Sequence, residues 1–251
     1  MGFDGVVKPR LLLIHGWLHS RKRYLPLARA LADRYDVVLQ PLPGYDDIGR
    51  PTRTGGHLAW YADQVAGRIR RQRPQVVVGF SMGGQILLRA LQDRTLTLPW
   101  AVFSNTPYPA LAPINGLVRR GWPVAWGLRA VQKAPRPLGK GLVDLFARQT
   151  VRDHRLVDDL FYEDACRVKP AVAAASAQEL ARGIDRVAPL KHTAAVVTGS
   201  GHDRLVPLAQ ARHLARDLAV PLVTFPEAGH TVVLDALADY VSFLGLLARR
   251  L

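Results

Sequence analysis

The stretch VVVGFSMGGQILLRAL at residues 76–91 constrains the fold more than any other part of this chain. Its β-branched run reads as a strand buried on both faces, and its second half repeats apolar residues at helical spacing. Strands that alternate with crossover helices pair in parallel, which points to an α/β sheet covered on both sides. Ser81 stands at the corner between strand and helix, bracketed by Gly79, Gly83 and Gly84. A turn that tight leaves no room for larger side chains.

The same alternation continues on either side. RLLLIH (10–15), YDVVLQPLPG (35–44), QVVVGF (75–80) and WAVFSN (100–105) read as strands, with helices expected over 22–34, 57–73 and 82–94. The rhythm stops at Pro107. Only helical patterns follow (VRRGWPVAWGLRAV, KGLVDLFARQTV, VKPAVAAASAQELARGI), until TAAVVTGSG (193–201) restores the alternation. A helix over 207–218, a strand over 220–225 and a last helix after His230 complete it. The expected organisation is a core of residues 1–106 and 192–251, interrupted by a helical cap inserted over 107–191. Trp122 and Trp126 are four residues apart and share one face of a cap helix.

Gly79-Phe80-Ser81-Met82-Gly83 fits G-x-S-x-G. In this context the Ser81 hydroxyl rises at the carboxyl edge of the sheet, where open α/β sheets take their ligands, with a helix N-terminus aimed at it. Serine is a poor nucleophile without a base. His230 in FPEAGHTVV follows the last strand, and Asp203 in GSGHDRLVP follows the one before. All three loops open at one sheet edge, and the order Ser81, Asp203, His230 is that of one hydrolase architecture.

A tetrahedral intermediate also needs two converging N–H donors. Met82, next to the serine, is one candidate; Trp17, after His15-Gly16 at the end of the first strand, is the other. His15 is expected to brace its loop. Phe80, Trp122 and Trp126, with Trp17 and Met82, would suit an apolar acyl group. Asp46 and Asp47, after LPGY, read as solvated loop carboxylates, and His202 as exposed. His19, His57, His154, His192 and His213 have no partners at metal-ligand spacing, so neither metal nor cofactor is expected.

HGW, LPGY, GFSMGG, GSGHDRLVP and AGH together resemble the α/β-hydrolase superfamily, among its esterase-like serine hydrolases with a helical cap, and the resemblance spans the chain. It implies an α/β-hydrolase fold with a mostly parallel, doubly wound sheet. It also implies Ser81 as nucleophile, His230 as base, Asp203 as the acid orienting it, and Trp17 and Met82 as oxyanion donors. That family often carries an antiparallel hairpin before the HG strand; few residues precede it here, so the sheet is expected to be shortened at that edge. The implied reaction is cleavage of a carboxylic ester through an acyl-serine intermediate. A thioesterase, a carrier-protein-linked acyl ester hydrolase, and a non-hydrolytic lyase, cyclase or ligand-binding protein remain open. Haloalkane dehalogenases and epoxide hydrolases are disfavoured, because they need aspartate where this chain has Ser81.

The formal net charge is +14, and most of the 34 basic residues are arginines scattered along the chain. No nucleic-acid-binding signature accompanies them, so nucleic acid is not an expected partner. A small-molecule acyl ester is, and a basic cap would welcome an acidic acyl carrier protein. No apolar run approaches the roughly 18 residues that span a bilayer. The start, MGFDGVVKPR, has no signal-peptide pattern, so a cytoplasmic location without membrane association is expected. Cys166, the single cysteine, precludes an internal disulfide and reads as a small buried or half-buried filler.

Overall fold

Leu11 and Leu13 of strand β1 (Arg10–Ile14) pack on one side of the sheet and Leu12 and Ile14 on the other. Strand β3 (Val76–Phe80) splits in the same way, Val76, Val78 and Phe80 against Val77. Side chains alternate across a strand, so strands apolar on both faces must be covered on both. The computed structural model describes residues 8–46, 57–92, 96–110, 120–190 and 192–251, and it contains that double cover.

With β2 (Asp36–Gln40), β4 (Trp100–Ser104), β5 (Ala194–Ser200) and β6 (Leu222–Phe225), these strands form one six-stranded sheet in the order β2-β1-β3-β4-β5-β6. Every pairing is parallel. The helices that follow along the chain are α1 (Leu25–Ala30), α2 (His57–Gln72), α3 (Met82–Gln92), α4 (Trp122–Lys133), α5 (Arg136–Ala147), α6 (Asp159–Arg167), α7 (Pro170–Arg182), α8 (Leu208–Leu218), α9 (Val232–Asp235) and α10 (Leu237–Ala248). Helices α2, α3 and α8 pack on one face of the sheet, through Leu58, Val65, Ile86 and Leu214. Helices α1 and α10 cover the other, through Leu27, Tyr240 and Leu244. The chain reverses its direction of travel across the sheet between β1 and β3. Their following loops therefore open side by side at the switch point where such sheets bind ligands.

Two elements depart from the sequence reading. The helix expected over 22–34 is shorter and divided: a 3-10 turn at Arg21–Tyr24 precedes α1. Pro26 has no N–H to donate and fits only the first turn of a helix, so α1 starts there. Cys166 is exposed rather than buried. Helix α6 turns Phe161, Asp164 and Ala165 inward, and Cys166 follows Ala165 by about 100° around the axis, onto the outer side.

Helices α4 to α7 stand between β4 and β5, and α7 is fastened to the loops after β1 and β2. The Trp17 indole donates to Ala173 O at 2.9 Å, and Lys169 N donates to Gly44 O at 2.8 Å. Arg23, itself buried, grips both carboxylate oxygens of Asp158 at 2.9 Å and stacks over Phe161 at 4.0 Å.

Candidate active site

Ser81 follows the last residue of β3 with a φ of +51°. A non-glycine residue rarely adopts that conformation, and its cost is met by the packing around it. A Cβ on Gly79 would lie 2.6 Å from Gly84 Cα, and one on Gly83 would overlap the carbonyl oxygen of Ile14. Only glycine at both positions lets α3 descend this close to β1 and β3. The Ser81 N–H is held by Ser104 O at 2.8 Å, which fixes the turn against β4.

His230 follows β6, and its ring bridges the two other candidates. Nε2 lies 2.9 Å from Ser81 Oγ and Nδ1 lies 2.7 Å from Asp203 Oδ2. A carboxylate only accepts, so Nδ1 carries the hydrogen and Nε2 is left to accept from the serine hydroxyl. Asp203 is buried and receives three further hydrogen bonds: Leu205 N at 2.9 Å, Val206 N at 2.7 Å and Asn105 Nδ2 at 2.8 Å. Asn105, just beyond β4, also donates to Ser200 Oγ at 2.9 Å. The sequence reading missed it. The polar ending of WAVFSN was the available signal, since a buried strand that ends in Ser-Asn at the carboxyl edge needs partners for both.

Ser81, Asn105 and His230 face a cavity of 440 Å³ whose walls are largely apolar, among them Trp17, Val124, Phe146, Phe161 and Leu205. Among the described residues, neither the Trp17 nor the Met82 N–H donates to another backbone carbonyl. Phe80 reaches the cavity, but its ring packs between Tyr24 and Tyr240, with centroids at 4.7 and 5.4 Å. Trp126 lines the cavity. Trp122 does not: it is 65% exposed on the outside of α4, turned away from the side on which Pro123 and Val124 line the cavity.

Asp46 differs from its expectation as a solvated carboxylate. It is buried, takes the Leu42 and Arg21 N–H groups at 3.0 and 3.1 Å, and lies 3.2 Å from His15 Nε2. Burial alone would raise its pKa. The His15 hydrogen bond and charge, together with the two backbone donors, outweigh it and bring the value down to about 2. Through its other ring nitrogen His15 meets Gly16 O at 2.9 Å, so the loop carrying Gly16 and Trp17 is tied to the turn after β2. Asp47 lies outside the described residues.

His19 also lines the cavity, 3.2 Å from the Tyr24 hydroxyl, and that hydroxyl accepts the Gly16 N–H at 3.4 Å. Burial first, then the nearby Arg23 and His230, hold the His19 pKa well below its ordinary value, so the ring is neutral at physiological pH. No sequence pattern distinguished His19 from the other histidines.

Residues 11–243 match the model of the alpha/beta hydrolase family. Among curated proteins, the chain is 31% identical over 99 residues to a pimeloyl-[acyl-carrier protein] methyl ester esterase of Stenotrophomonas maltophilia. It is 33% identical over 78 residues to the Aeromonas hydrophila protein of that name. The alignments cover 39% and 31% of this chain and only 37% and 30% of those relatives. Among solved structures, an esterase from Exiguobacterium antarcticum superposes with a TM-score of 0.76 at 17% identity, over 97% of this chain and 93% of that one. An enol-lactonase from Burkholderia xenovorans reaches 0.77, also at 17% identity, over 98% and 94%. With the family model spanning almost all of the sequence and both structures superposing end to end, the chain belongs to the alpha/beta hydrolase family.

Proposed function

We propose that this protein is a serine hydrolase that cleaves a carboxylic ester through an acyl-serine intermediate. The observation that carries the proposal is the unbroken chain from Ser81 Oγ through His230 to Asp203, with hydrogen bonds of 2.9 and 2.7 Å. Ser81 Oγ attacks the ester carbonyl as its proton passes to His230 Nε2, and Asp203 stabilises the imidazolium that forms. The carbonyl oxygen takes up the negative charge between the N–H groups of Met82 and Trp17, each worth about 3–4 kcal/mol to the transition state. The imidazolium then protonates the leaving alkoxide. Water, giving its proton to the same nitrogen, releases the acid and restores the serine. Asn105 and the Leu205 and Val206 N–H groups hold Asp203 in place throughout. Helices α4 to α7, within residues 107–191, act as the cap that keeps bulk water from the acyl pocket.

A panel of p-nitrophenyl esters of graded acyl length tests this reading. The wild-type chain should cleave them, and Ser81→Ala should lower kcat by up to about 10⁶-fold without altering the circular dichroism spectrum. If wild type and mutant bind the esters and are equally inert, the protein is a ligand-binding or non-hydrolytic member of the fold.

The curated relatives' name favours a second reading, an acyl methyl ester held on an acidic carrier protein. A carrier-linked methyl ester cleaved with a much higher kcat/KM than the same ester free in solution would establish it, and thioesters belong in the same panel.

A further inference from the structure

The cap exposes apolar side chains that a water-facing surface ordinarily hides. On α4, Trp122 and Trp126 are 65% and 68% exposed. On α5, Leu138, Leu142 and Leu145 are 60%, 50% and 63% exposed, and their spacing lines them along one face of the helix. Trp126 and Leu142 also line the cavity that holds Ser81. The outer patch and the pocket are thus one continuous apolar surface that passes between the two helices. Gly127 also lines the cavity, and a Cβ added there would meet nothing within 4 Å. Contiguous exposed apolar surface of this kind marks an interaction site.

The unpaired charges around it share one sign among the described residues. Arg120, Arg129, Lys133 and Arg148 are exposed and, among the described residues, pair with no carboxylate. The acidic groups beside the patch are already engaged: Asp144 by Lys140 at 2.6 Å, and Asp159 by Arg136 at 3.0 Å and Lys140 at 3.4 Å.

We propose that this face of the cap docks on an anionic lipid surface and that the hydrolase draws an apolar ester from that surface into its cavity. Exposed indoles and leucines flanked by free cations are the chemistry of a helix pair lying in a bilayer interface. A carrier domain recognised by charge would use the cations but has no need of five large exposed apolar side chains on two neighbouring helices. The clause about substrate entry rests on the ester-hydrolase reading. The docking itself does not.

The test is co-flotation with phosphatidylcholine vesicles, with and without phosphatidylglycerol, using the wild-type chain and Ser81→Ala. Both should float with the anionic vesicles, more weakly with the zwitterionic ones, and less as salt is raised. Trp122, Leu138 and Leu145 lie outside the cavity lining. Replacing all three by serine should weaken flotation at least about tenfold, while the rate on a water-soluble short ester stays at the wild-type value. Arg129→Gln and Lys133→Gln should each weaken it about fivefold.

Failure of both proteins to float, or equal flotation of the triple variant, overturns the proposal. So does an acidic carrier domain that binds the wild-type patch while vesicles do not, or self-association that buries the patch and vanishes in the triple variant. Flotation of both proteins without any ester cleavage leaves the docking in place and removes the ester-hydrolase reading instead.

Discussion

The serine turn and the α4–α5 pair both use glycines and large apolar residues, to opposite ends. At the turn, Gly79 and Gly83 exist because backbone from three elements converges there, and β3, which leads into it, is buried throughout. In α4 and α5 the glycines at 127 and 141 border open space, and tryptophan and leucine face outward. One region is packed to hold a strained serine still. The other leaves large apolar side chains uncovered beside the pocket. Catalytic groups need fixed distances, whereas an entrance needs room and a surface that a substrate's surroundings can wet.

The contrast can be broken most severely at the turn. Gly83→Ala drives a methyl group into the backbone of β1 and should cost about 3 kcal/mol or more, enough to abolish soluble expression or collapse the denaturation midpoint. A midpoint within a few tenths of a molar of wild type would mean that the close approach is not rigid. The next largest effect is expected at Asn105. Alanine there removes a hydrogen bond to the buried Asp203 carboxylate and should lower kcat/KM about 10- to 100-fold, with the melting temperature little changed.

Asp46 provides a pH test of the loop that carries Trp17. Its folded pKa of about 2 lies below the ordinary 3.8, so the ionised form stabilises the folded state. That contribution is complete above about pH 4 and disappears as the pH falls towards 2. Urea midpoints of Asp46→Asn should therefore lie below wild type near neutrality and converge with it in acid; parallel curves across that range would show the carboxylate to be a bystander. The smallest effect is expected in α4. Gly127→Ala meets no atom and improves helix propensity, so it should raise stability by no more than about 1 kcal/mol.

Much of the core was legible because strands buried on both faces write continuous β-branched runs and their crossover helices write 3.6-residue periods. The reading of 75–80 corresponds to β3 within one residue, and that of 82–94 to α3 from Met82 as far as Gln92, residues 93 and 94 lying outside the described residues. Ser81, Asp203 and His230 could be named as candidates because each lies in the loop or turn after a recognisable strand. Asn105 also follows a strand but belongs to no motif, and Asp46 and His19 owe their environments to contacts across the fold rather than to their neighbours in the chain.

Helices α4 and α5 mark the limit of local pattern. Trp122 and Trp126 share a helix face in the sequence, but periodicity states only that a face exists, not what covers it. In the sheet both faces are covered as a consequence of the βαβ connection, so apolar residues there are buried wherever they fall. The chain by its own pattern determined the parallel α/β architecture, the serine turn and the order of the three candidate residues. The tertiary structure alone decided that the imidazole meets both partners, that Asp46 is buried, and that two tryptophans and three leucines of α4 and α5 stay exposed. Those outcomes depend on the relative orientation of elements far apart in sequence, which neither spacing nor composition encodes.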